Sequence, residues 1–93
     1  MTTKTSIIYL PGGMKNEVKP QNGKYFTLEE LQSIVDGYIE CVYLNDGMTM
    51  VVNEEGKLNN LPFNYSATEI AHNSGIFDAI VGAVLVCPSK LIK

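Results

Sequence analysis

The chain has no arginine. Its seven basic residues are all lysine, at positions 4, 15, 19, 24, 57, 90 and 93, and they face ten acidic residues for a formal net charge of −3. Arginine is the usual bidentate reader of phosphate and of guanine edges. A net-negative chain with scattered lysines is poorly equipped to neutralise a nucleic-acid backbone, so no DNA or RNA partner is expected. The same reasoning leaves room for a small nucleotide held by backbone N–H groups. Long apolar runs are also missing: nothing approaches the roughly 20 residues that span a bilayer, which removes the membrane as a partner. Residues 1–6 lead into only four apolar residues, Ile7 to Leu10, before Pro11, too few for the core of a secretory signal. The expectation is a cytoplasmic protein.

Histidine and cysteine are scarce. His72 is the one histidine, and Cys41 and Cys87 each sit in an apolar, strand-like segment. A zinc site needs more ligands at short spacing. The two thiols read as small buried hydrophobes of a reducing compartment, and no metal or cofactor is expected. Gly12-Gly13 follows a β-rich run, but neither a Walker A pattern nor G-x-G-x-x-G is present, so the pair is a turn. The alternating oxygen ligands of a calcium loop are missing. No nucleophile-elbow signature accompanies any serine or cysteine. The chain reads as a non-enzyme.

What is there suffices for one core. Ninety-three residues, 45% hydrophobic and 18% charged, make a single globular domain over 1–93. Thr5 to Leu10 is a first strand, Pro11-Gly12-Gly13 a turn, and residues 16–19 a return strand within a flexible 12–24 segment. Thr27 and Glu30 have capping-box spacing, with Phe26 and Leu31 as the hydrophobic staple. Leu28, Leu31, Ile34 and Val35 then share one face of a helix over 28–36, which Gly37 ends in the left-handed conformation. Ser66 and Glu69 repeat the capping box, with Tyr65 and Ile70 as staple, and predict a short helix over 67–72. Residues 80–87 are apolar on both faces, as a central strand requires, and Gly82 marks a bulge or a close approach.

Between the helices lies a hairpin. Residues 38–44 run out, Asp46-Gly47 favours a two-residue type I′ turn, and residues 48–52 return. That register pairs Tyr43 with Met50 and Cys41 with Val52 on the face toward the first helix, and Glu40 with Asn53 on the other. The second turn, Asn53 to Lys57, uses Gly56 for a positive φ. Glu40, Asn53, Asn60 and Asn64 then surround the hairpin end as a candidate ligand site, while Glu54 and Glu55 point into water. An enzyme built from Glu54 or Glu55 with His72 is the weakest reading, because His72 suits the negative end of its helix. Tyr9, Tyr25, Tyr38, Tyr43 and Tyr65 are numerous for this size. Those left exposed, near Met48 or Phe63, suit protein binding.

Residues 28–87 resemble a family of small domains encoded in bacteria, phages and mobile elements. Its core reads V-G-G-Y-I-E, a hydrophobic hairpin, N-E-E-G-K-L-N-G-L-P, an asparagine, and a late apolar strand after D-x-I-x-G. Val35, Gly37 to Glu40, Asn53 to Asn59, Leu61, Pro62, Asn64, Asp78, Ile80 and Gly82 carry the match. Asp36 and Asn60 stand where that core has glycine, and Tyr65 where it often has arginine. The family has no assigned activity, so the resemblance implies a fold core and a mobile-element setting, not a reaction. The fold expected is α+β, a mainly antiparallel sheet of four to five strands with the capped helix packed on it and a second short helix. The function expected is a protein-binding or regulatory module that takes a protein partner or self-associates through a strand edge. A small-ligand binder, for example of a nucleotide, is the alternative.

Overall fold

Two hairpins and one late strand build the sheet. In a computed structural model, whose described residues are 5–92, β1 (Ser6–Tyr9) turns into β2 (Lys15–Val18). Helix α1 (Leu28–Val35) then leads to a second hairpin, β3 (Ile39–Tyr43) and β4 (Met48–Asn53). Helix α2 (Tyr65–Asn73) returns the chain as β5 (Val84–Pro88), followed by a 3-10 turn at Ser89–Leu91. The strand order is β2-β1-β5-β4-β3 and every neighbouring pair is antiparallel. The last strand therefore joins two hairpins that share no other strand. It is buried along its whole length, which its apolar sequence on both faces demands.

Each face carries one helix. On one side Phe26, Leu31 and Val35 pack with Val51, Leu85 and Cys87. On the other, Ala67 and Ala71 of α2 join Met50, Val52, Ile80, Val84 and Val86. Burying Leu31 and Val35 contributes about 1.5–3 kcal/mol apiece, which a two-turn helix needs because its own hydrogen bonds barely sustain it.

The capping box of α1 forms as spaced: Glu30 N–H donates to Thr27 Oγ1, and Thr27 N–H to Glu30 Oε1. Glu30 also accepts from Gln21 N–H at 3.0 Å, so it pins the preceding loop to the helix. Leu28 departs from expectation. It is 55% exposed, because Phe26, held by an N–H bond to Leu91 O at 2.8 Å, takes the buried place at the start of the helix. At the other end the left-handed residue is Asp36 (φ 61°), not Gly37. Aspartate is among the few non-glycine residues that tolerate this conformation. Gly37 is needed for another reason: a Cβ there would lie 2.7 Å from Asn53 Nδ2.

The hairpin register differs by one residue from the two-residue-turn expectation. Asp46 and Gly47 do take the two positive φ values of that turn, and Met48 N–H donates to Asn45 O. Leu44 N–H, however, bonds to Met48 O, which leaves Asn45 as an extra residue on the β3 side. Cys41 therefore faces Val51, Val42 faces Met50, and Glu40 faces Val52. A one-residue slip moves a strand's side chains to the opposite face. Ile39 and Cys41 stay on the α1 side, but Met50 and Val52 go to the α2 side and Val51 takes their place.

Two further details are corrected. The N-cap of α2 is Asn64, whose Oδ1 accepts from Ala67 N–H, and the helix starts two residues before the Ser66 cap would allow. Gly56 has no positive φ; it is buried, and a Cβ there would meet Val81 Cγ2 at 2.8 Å. The reversal is instead a helical turn closed by Asn60 at φ 53°, with Leu61 N–H to Gly56 O and Asn60 N–H to Lys57 O. Those two bonds around a left-handed residue form a Schellman motif.

Candidate functional site

Of the four residues picked out around the hairpin end, Glu40 and Asn53 line one groove, and Asn60 and Asn64 lie outside it. Glu40 lies opposite Val52 and is exposed on the α2 side of β3. Asn53 is only 8% exposed. Its Nδ2 donates to Val35 O at 3.0 Å and Asp36 O at 3.2 Å, and its Oδ1 accepts from Glu55 N–H. Asn64 is fully buried, and its Nδ2 bonds Tyr9 O and Gly82 O while its Oδ1 caps α2. Both amides are thus spent on backbone groups of the protein itself. Asn60 is exposed in its left-handed turn.

A groove of about 160 Å³ does lie beside Glu40. Glu54, Lys57 and Asp78 form its polar rim, with Val42, Val52 and Ile80 among its apolar walls. Lys57 is paired with Asp78, which holds the Asp78 carboxyl below its usual range. Both partners are well exposed, so the pair adds little stability. His72 is outside this groove; its ring tilts against Phe77 at 5.6 Å. Among the described residues no three His, Cys, Asp or Glu side chains are placed to hold a metal ion. Burial pushes the Cys87 thiol up to about 11, and burial with the Glu40 charge raises that of Cys41. Neither has the character of a reactive thiolate.

Sequence reasoning expected an exposed strand edge without saying which; the edge left open in this region is β3. In an antiparallel pair, hydrogen-bonded and non-hydrogen-bonded residues alternate. Glu54 N–H bonds Tyr38 O and Leu44 N–H bonds Met48 O, so the even-numbered residues of β3 point their backbone groups at β4. The N–H and C=O of Ile39, Cys41 and Tyr43 therefore point away from the sheet. No other described strand pairs with them. The edge lies between two depressions. Glu40 and Val42 border the 160 Å³ groove, while Ile39, Cys41 and Tyr43 line one of about 300 Å³ with Thr49, Ser89 and Ile92. Tyr38 and Tyr43 are 65% and 75% exposed along it.

The two sheet edges differ in chemistry. β2 carries Lys15 and Glu17, both exposed, the kind of charge that discourages strand addition. β3 has no lysine and no proline. That contrast was the available signal, but it points to an edge only once strand order is known.

The architecture is that of a small α+β domain, a five-stranded antiparallel sheet with a helix on each face. Residues 4–90 match a family described as a domain of unknown function (DUF3846), and the chain belongs to that family. Comparison with curated proteins and with solved structures finds no match in either.

Proposed function

We propose that this chain is a non-catalytic protein-binding module that takes an extended polypeptide segment as an added strand on β3. The observation that carries the reading is the outward-pointing backbone of Ile39, Cys41 and Tyr43, flanked by a depression on each sheet face. Strand addition draws affinity from main-chain hydrogen bonds and specificity from pockets for alternate side chains, and this edge offers both. A cytoplasmic setting in a phage or mobile element is carried by the motif resemblance and by composition. The small-ligand alternative has less support. The side chains of Asn53 and Asn64 are already engaged by backbone groups. Asn60 and Asn64 line neither the groove beside Glu40 nor the depression of about 330 Å³ that Asn53 shares with Tyr38 and Asn59.

Proline at position 41 tests the reading. The Cys41 N–H points outward, so Cys41→Pro removes a donor from the open edge and leaves the β4 ladder intact. Partner capture from host lysate by the wild-type chain, lost in a Cys41→Pro variant of unchanged fold, is the expected result. Equal capture by both would contradict binding at this edge.

A further inference from the structure

We propose that the segment taken up on β3 is cationic, with lysine or arginine between apolar residues at alternate positions. The inference rests on the strand-addition reading and specifies its partner.

Charge on this chain is distributed unevenly. Residues 25–56, which contain the whole β3–β4 hairpin, hold seven carboxylates and no basic residue. Lys15 and Lys19 lie on or directly after β2, at the opposite edge of the sheet, while Lys90 sits in the 3-10 turn whose Ser89 borders the larger depression on the α1 side, away from the groove beside Glu40. The groove beside β3 repeats the imbalance: Glu40, Glu54 and Asp78 face one ammonium, Lys57, which is already bound to Asp78. Its remaining walls include Val42, Val52 and Leu58. A long basic side chain suits such a lining, because its aliphatic stem covers apolar surface while its head meets carboxylates. A volume of about 160 Å³ admits one such side chain.

Alternation supplies the rest of the pattern. Successive side chains of an added strand point to opposite faces. Residues opposite Ile39, Cys41 and Tyr43 fall on the α1 side, over the larger and more apolar depression beside Ile92. Those between them fall beside Glu40. The partner is therefore apolar, cationic, apolar in sequence. A second copy offering its own β3 would bring a second Glu40 and another acidic edge, and like charges across strands repel.

Two end-blocked heptapeptides, Val-Lys-Val-Lys-Val-Lys-Val and its glutamate counterpart, titrated into isotope-labelled protein, separate the possibilities. The lysine peptide is expected to shift the amides of Ile39, Cys41 and Tyr43 and to bind at least about fivefold more tightly at low salt. Glu40→Lys, an exposed change that leaves two carboxylates facing two ammonium groups, is expected to abolish the preference. Equal binding of both peptides at β3 would overturn the charge inference and leave strand addition standing. No shift on β3 with either peptide would overturn both. Concentration-dependent shifts at β3 without peptide would make a second copy the occupant, against the proposal.

Discussion

Asn53 does with one side chain what a ligand site would need several groups to do. It satisfies two carbonyls at the end of α1 and starts the next turn through Glu55 N–H. Asn53→Ala leaves those carbonyls without a donor and is expected to cost about 2 kcal/mol in denaturant unfolding. The glycine pattern has the same structural character. Asp36 and Asn60 are both left-handed, at φ 61° and 53°, the conformation that glycine adopts most readily. Gly37, between Asp36 and the hairpin, lies so close to Asn53 that an added Cβ would sit 2.7 Å from its Nδ2. Calorimetry is expected to find Asn60→Gly neutral or slightly stabilising, within about 1 kcal/mol, and Gly37→Ala clearly destabilising. Asn53 and Asn64 were visible in the sequence as polar residues near one hairpin end. A structural amide and a ligand-binding amide share their chemistry, and burial, which distinguishes them, depends on segments distant in sequence such as Tyr9 and Gly82.

Among the elements, α1 was legible because its signals are local. Thr27 and Glu30 make both capping-box bonds within one turn. The start of α2 was not, since Asn64 is fixed by tertiary bonds to Tyr9 and Gly82 as well as by its capping role. Two substitutions separate these cases: Thr27→Ala is expected to lose about 1 kcal/mol, while Ser66→Ala stays within about 0.5 kcal/mol in thermal unfolding. Glu30 adds a pH dependence. Backbone N–H bonds from Thr27 and Gln21 hold its carboxyl below the usual glutamate range. Its contribution is therefore complete above the unfolded-state value and is lost as pH falls through the lower folded value. Stability measured from pH 6 downward is expected to fall less steeply in Glu30→Gln than in the wild type. The hairpin register escaped sequence reading for a different reason. Residues 48–52 are apolar or small on both faces because both are covered, so no alternation chose between the two pairings, and Asn45 decided it.

At the scale of the whole molecule, β5 holds two hairpins together and leaves the sheet with two unlike edges, β2 charged and β3 not protected by lysine or proline. The α+β class and the central position of the last strand could be read from apolar patterning. Which edge stays open could not, because it follows from strand order and from a one-residue register. The central claim is that Ile39, Cys41 and Tyr43 present free backbone groups while Glu40 and Val42 pair with β4. Residue-resolved amide hydrogen exchange on the dilute protein tests this most directly. The expected result is alternation along β3, with slow exchange at Glu40 and Val42 and fast exchange at Ile39, Cys41 and Tyr43. Uniform protection of all five amides would contradict it, since the edge would then already be covered.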